Sequence, residues 1–236
     1  MEVHIKRRMK MDYTYEDIAK MIDHSLLNPK MIDTELIDGC KIAVKYRVAS
    51  VCIKPYYVKE TAGLLEDSGV KTGTTIGFPH GGHLTAIKVA EAEQAMADGA
   101  EELDMVVNIG KVLSLDWDYV LNDIKTVVEA GHSNGAIVKV IFENCYLQDE
   151  HKIRLCGICS QVGADFVKTS TGYGDGGATI DDLKLMRKYS LPNVQVKAAG
   201  GIRTLDQTLE VRAVGVTRIG ATRTIDILEE CKKRLS

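Results

Sequence analysis

The sequence predicts an α/β protein that closes into a single (β/α)₈ barrel of the TIM type, and three observations lead there. Short β-rich runs alternate with helical patterns along the chain. Several of these runs are apolar at nearly every position, as parallel strands buried on both faces must be. A length of 236 residues holds eight such units and leaves little room for a second domain.

The runs are Val48–Ile53, Thr72–Phe78, Glu102–Val107, Ile137–Phe142, Asp165–Ser170, Val194–Ala198 and Val216–Gly220. Asp23–Leu27 supplies an eighth, between a helical stretch at Tyr15–Ile22 and a helix near Thr34–Lys45. Helix starts punctuate the intervals. Asp116 precedes the apolar stripe Val120, Leu121, Ile124, Val127 and Val128, which Gly131 should end. Thr179-x-x-Asp182 and Thr204-x-x-Gln207 have capping-box spacing, Thr85 and Asp149 are further caps, and Pro55 suits a first helical turn. An open doubly wound sheet satisfies the same alternation, because local pattern does not report closure. Residues 1–12 read as a loose basic tail and residues 13–236 as the barrel.

Composition narrows the partners. Hydrophobic residues make up 45% and charged residues 27%, and the net charge of −3 offers no general attraction to nucleic acid or to an anionic membrane. No apolar core follows the basic start, which speaks against a secretory signal, and no stretch approaches a membrane span. Six cysteines are too sparse for a disulfide scaffold, so a reduced, cytoplasmic setting is expected. Cys156 and Cys159 have CxxC spacing but lie in a helical pattern without a second pair, and read as buried helical residues.

Three ionisable residues interrupt strand patterns: Asp104, Lys168 and Lys197. A charge there is costly unless paired or used. Function in a barrel gathers at the C-terminal strand ends. A valine precedes each lysine, so both lysines face the interior. On consecutive strands about 4.8 Å apart, two ammonium groups repel by about 3 kcal/mol at an effective dielectric near 20, or about two pKa units. One amine is then partly neutral near pH 7 and able to attack a carbonyl carbon. The iminium that follows stabilises a neighbouring carbanion, so carbon–carbon cleavage needs neither cofactor nor metal. Asp104 is the acid/base group. The competing structural reading puts both lysines in ion pairs with Asp104, with Glu143 or with neighbours of Lys139.

A phosphate end follows from glycines at three successive strand ends: the run Gly172 to Gly177, the pair Gly200-Gly201, and Gly220. Arg203, Thr222 and Arg223 add side-chain donors suited to a dianion. Asp23 and Thr171 complete the expected substrate- and phosphate-binding set. His80 and His83 offer a rival metal reading, without a third ligand nearby.

Longer motifs carry a resemblance. Ile22–Leu27 (IDHSLL), Ala49–Pro55 (ASVCIKP), Ile76–Gly81 (IGFPHG), Asp98–Val106 (DGAEELDMV), Gly163–Gly172 (GADFVKTSTG), Val196–Thr204 (VKAAGGIRT) and Thr217–Ala221 (TRIGA) together resemble the DeoC-type deoxyribose-phosphate aldolase family over nearly the whole chain. The resemblance implies a Schiff-base lysine at Lys168, a pKa-lowering partner at Lys197 and a proton-handling carboxylate at Asp104. The implied reaction is reversible cleavage of 2-deoxy-D-ribose 5-phosphate to acetaldehyde and D-glyceraldehyde 3-phosphate, by a protein that associates with itself as a dimer or tetramer. Two segments depart from the family pattern. Thr222-Arg223 stands where a pair of small hydroxyl residues is usual, and Asn144-Cys145 where a small pair follows the glutamate. Both bear on the sugar rather than on the chemistry.

Overall fold

Eight parallel strands pair each with its sequence neighbours, and β8 closes onto β1. They are β1 (Ile22–Leu26), β2 (Ser50–Ile53), β3 (Lys71–Ile76), β4 (Glu102–Val106), β5 (Ile137–Ile141), β6 (Phe166–Lys168), β7 (Gln195–Ala199) and β8 (Arg218–Ala221). The structure is a computed structural model and describes residues 12–236; the expected tail at residues 1–12 lies outside these except for Asp12. Closure removes both sheet edges and settles the choice against an open doubly wound sheet.

The helices are α1 (Tyr15–Ala19), α2 (Asp33–Tyr46), α3 (Val58–Leu65), α4 (Thr85–Ala97), α5 (Ile109–Leu113), α6 (Trp117–Ser133), α7 (Asp149–Val162), α8 (Ile180–Tyr189), α9 (Leu205–Ala213) and α10 (Thr224–Leu235). Several starts follow the expected chemistry. The Asp116 carboxylate accepts from the Tyr119 N–H, and Thr204 with Gln207 forms a reciprocal capping box. Thr179 caps α8 by accepting from the Asp182 N–H, but the Asp182 carboxylate turns to Lys152, so that box stays half made. Pro55 opens a single 3₁₀ turn leading into α3.

Three expectations shift by a residue or a role. Thr85 and Asp149 are first helical residues; Leu84 and Gln148 hold the cap positions. The Thr85 hydroxyl donates instead to Asp123, and Asp149 pairs with Lys152. Gly131 does not end α6. It lies inside the helix because a Cβ there would stand 2.4 Å from a Val138 methyl, so glycine permits the close approach of α6 to β5.

Strand alternation divides the core in two. Val138, Val140, Val167, Val196 and Ile219 face outward into the apolar layer under the helices. The opposite faces of the same strands carry Lys139, Lys168, Lys197 and Arg218 into the barrel. A charged interior enclosed by an apolar sleeve is what positions the site.

Candidate active site

Asp104 on β4, Lys168 on β6 and Lys197 on β7 meet at one atom. The Lys168 Nζ donates to Asp104 Oδ2 at 2.8 Å and the Lys197 Nζ to the same oxygen at 2.7 Å. The two lysines are register partners on adjacent strands, so the backbone itself sets them side by side. Each of the three residues is at most 3% exposed.

The surroundings push the two amines apart. Burial lowers the pKa of Lys168, and the neighbouring Lys197 adds to the effect against the pull of Asp104. Burial acts on Lys197 in the same sense, but Asp104 and Asp23 together outweigh it and raise its pKa. Asp23 on β1, an expected substrate contact, is fully buried and pairs with Lys197 and with Arg218 of β8. Burial opposes ionisation of Asp104, yet Lys139, Lys168 and Lys197 hold its carboxyl well below the usual carboxylate range. The ion pairs of the structural reading and the charge crowding of the catalytic one therefore coexist.

Above the amines lies a cavity of about 190 Å³. Lys168, Lys197 and Asp23 line its floor, and Thr171, Gly172, Gly200, Gly201, Arg203, Gly220 and Thr222 its walls and rim. Gly172 and Gly201 have positive φ (88° and 94°), and a Cβ on either would meet nothing within 4 Å, which leaves their backbone open to a ligand. A Cβ on Gly220 would stand 3.3 Å from the Ala199 Cβ and 3.8 Å from the Lys197 side chain. Among the expected residues, two are left out of the cavity lining: Asp104, buried behind the two amines, and Arg223. Its guanidinium is 61% exposed and pairs with Asp226 one helical turn along.

The rest of the glycine run serves the loop, not the cavity. A Cβ on Gly174 would press on Glu143 and Cys145, one on Gly176 on Cys145, and one on Gly177 on the Gly200 carbonyl. Glu143, at φ 57°, is buried and accepts from the backbone N–H and the hydroxyl of Thr171, bracing the start of this loop. Asn144 is buried with its amide against Met186, whereas Cys145 is exposed and stands beside Gly174 and Gly176. Neither of these larger side chains lines the cavity.

A wider bowl of about 590 Å³ shares Ser25, Leu27, Thr171, Gly172 and Thr222 with the inner cavity. Tyr173 closes one side of it: its hydroxyl donates to the Leu27 carbonyl at 2.6 Å and its ring stands edge-on to Phe78. Cys156 and Cys159 are buried free thiols on α7. His80 and His83 are exposed on the loop after β3, and among the described residues no group of three or more His, Cys, Asp or Glu is placed to hold a metal ion.

Sequence reasoning missed Lys139, Glu102 and Arg218, which pack against the site from below. The Lys139 Nζ reaches Glu102 at 2.6 Å and Asp104 Oδ1 at 2.8 Å, and Arg218 forks onto Glu102. The signal was present, since each is a charged residue on the inward face of its strand run.

Barrel and site together define a class: a lysine-centred (β/α)₈ barrel with a glycine-rimmed mouth. The chain belongs to the DeoC/LacD aldolase family, whose description matches residues 17–222. A deoxyribose-phosphate aldolase of Rhodopirellula baltica is 63% identical over 224 residues, which cover 95% of this chain and 93% of that protein. One of Thermococcus gammatolerans is 49% identical, covering 90% and 96%. Among solved structures, a deoxyribose phosphate aldolase from Aeropyrum pernix, described as a unique tetramer, superposes with a TM-score of 0.86 at 32% identity, covering 93% and 92%. A putative deoxyribose-phosphate aldolase from Coccidioides immitis gives 0.89 at 35%, covering 93% and 87%. The resemblance carried by the motifs is borne out, as is the barrel.

Proposed function

We propose that this chain is a Schiff-base aldolase that reversibly cleaves 2-deoxy-D-ribose 5-phosphate to acetaldehyde and D-glyceraldehyde 3-phosphate. The observation that carries the reading is the split between two adjacent amines, with Lys168 pushed toward neutrality and Lys197 held charged over one oxygen of Asp104.

In this reading the neutral Lys168 amine adds to C1 of the open-chain sugar. Loss of water from the carbinolamine gives an iminium, and Lys197, whose raised pKa supports a charged ammonium, donates the proton that the departing hydroxyl takes up. Removal of the C3 hydroxyl proton, by Asp104 directly or through a water, breaks the C2–C3 bond. The electron pair flows into the iminium as an enamine, and the C3 aldehyde leaves as glyceraldehyde 3-phosphate. Protonation of the enamine carbon and hydrolysis then free acetaldehyde and restore Lys168. The phosphate is assigned to the backbone of Gly172, Gly200 and Gly201 with Thr222 and Arg203, all on the cavity wall.

The partner is thus a small sugar phosphate, with no nucleic acid expected for a chain of net charge −3. Self-association as a dimer or tetramer and a reducing, cytoplasmic setting complete the reading; the tetrameric description of one relative and six unpaired thiols support them. Among the described residues no helix is long and apolar enough to cross a membrane. The test is a cleavage assay with deoxyribose 5-phosphate beside unphosphorylated deoxyribose. Equimolar acetaldehyde and glyceraldehyde 3-phosphate from the phosphorylated sugar are expected. No turnover, or equal turnover of both sugars, contradicts the assignment.

A further inference from the structure

Six charged side chains inside the barrel form a closed ring of alternating sign. Arg218 pairs with Asp23, Asp23 with Lys197, and Lys197 with Asp104 at 2.7 Å. Asp104 continues to Lys139 at 2.8 Å, Lys139 to Glu102 at 2.6 Å, and Glu102 back to Arg218 at 3.0 Å. Five of the six side chains are at most 1% exposed, and Arg218 is 12%. Around the circuit each cation sits between two carboxylates and each carboxylate between two cations, and a longer contact of 3.7 Å from Lys139 to Asp23 crosses it.

Lys168 is the seventh charge, and it stands outside this circuit. It reaches one oxygen, Asp104 Oδ2, which Lys197 already holds. A low-dielectric interior tolerates paired ions and penalises net charge. Three carboxylates balance three cations, so the ring is electrically complete before Lys168 is counted. The remaining titratable group facing the cluster is Cys52 of β2, whose thiol burial pushes up to about 11 and so keeps neutral. Lys71, at the start of β3, lies at the surface with Glu101.

We propose that Arg218 and Glu102 are positioning residues that act through this ring, closing it on the three other pairs so that Lys168 is left as the single surplus amine. Neither residue lines the cavity. The inference deepens the Schiff-base reading and rests on it. It explains why the reactive amine is Lys168 and not Lys139 or Lys197, although all four interior cations are buried together. The directions of the shifts agree: Lys139, Lys197 and Arg218 are raised by their carboxylate neighbours against burial, and Lys168 alone is lowered.

The ring makes a prediction that a merely structural ion pair does not. Arg218→Met leaves three carboxylates facing three lysines, so Lys168 keeps its proton. Glu102→Gln leaves two carboxylates facing four cations, so Lys168 gives up its proton more readily. The double variant restores one surplus amine. The test reads the pH midpoint for trapping acetaldehyde on Lys168 with cyanoborohydride, by peptide mass spectrometry, on full-length proteins checked for folding by circular dichroism. The midpoint is expected to rise by about one to two pH units in Arg218→Met and to fall by a similar amount in Glu102→Gln, the scale set by one unit charge several ångströms away at an effective dielectric near 20. In the double variant it should return close to the wild-type value. Should Arg218→Met fail to fold, Arg218→Lys keeps the charge and is expected to keep the midpoint, while Glu102→Gln alone must still lower it. An adduct whose midpoint stays fixed, or moves the same way in both single variants, overturns the ring and leaves the Schiff base standing. No adduct in the wild-type protein at any pH overturns the Schiff-base reading itself.

Discussion

Lys168 and Lys197 compete for a single oxygen of Asp104, at 2.8 and 2.7 Å, so their amines lie no farther apart than those two distances laid end to end. Only Lys197 has a second carboxylate, that of Asp23, and this is what breaks the symmetry between two buried lysines.

Removing Lys197 should therefore disable the site without touching the nucleophile. Lys197→Leu leaves Asp104 and Asp23 short of a cation, and Lys168 becomes the ammonium that answers them. Its reactive fraction at neutral pH is expected to fall about a hundredfold, the equivalent of about two pKa units, with activity returning as pH rises. A pH profile of kcat/KM checks this; near-normal activity at pH 7 would mean that crowding does not set the amine's reactivity.

Arg223 is expected to be silent. Its guanidinium is paired with Asp226 outside the cavity, so Arg223→Ser should leave the Michaelis constant for deoxyribose 5-phosphate within about twofold, the size of a perturbed surface pair. Thr222→Ala, on the cavity rim, should raise it. The reverse order would move the phosphate toward Arg223.

His24 makes the fold sensitive to mild acid. Burial lowers its pKa from 6.5 to about 4, and its Nδ1 contacts the Thr224 hydroxyl at 2.8 Å. The unfolded chain then binds the proton first as pH falls below 6.5, so stability is full above that value and declines toward pH 4. The loss is about 3 kcal/mol across the window. Denaturant unfolding at pH 7 and pH 4.5 should show a drop that His24→Gln largely removes. An equal drop in both proteins would assign it to other groups, though not to Asp23 or Asp104, since a carboxylate held below its ordinary value of 3.8 gives up stability only below that pH.

Tyr173 ties the loop after β6 to the loop after β1. Tyr173→Phe deletes the bond to the Leu27 carbonyl and keeps the edge contact with Phe78, which should cost about 1 kcal/mol of stability and leave the amine chemistry in place. Thermal unfolding beside the imine-trapping rate separates the two effects.

Much of this was legible in the residues. The strand runs, the inward face shared by Lys168 and Lys197 and the carboxylate at Asp104 follow from period-two alternation, which is local. The ring was not legible, because it exists only once the barrel closes. Arg218 meets Asp23 across 195 residues and Glu102 across 116, distances along the chain that no short-range pattern spans. The glycine run misled for the opposite reason. Its positions read as a phosphate cradle, whereas Gly174, Gly176 and Gly177 yield space to Glu143, Cys145 and Gly200, neighbours that only the folded loop provides. Arg223 was ambiguous in the same way, since nothing local chose between the cavity and Asp226.

The most direct measurement is peptide mapping of the protein reduced with borohydride during turnover of deoxyribose 5-phosphate. The account predicts one modified site, Lys168, lost in a folded Lys168→Ala protein, with Lys139 and Lys197 untouched. Label on Lys197 in its place, or turnover that leaves every interior lysine unmodified, would contradict it.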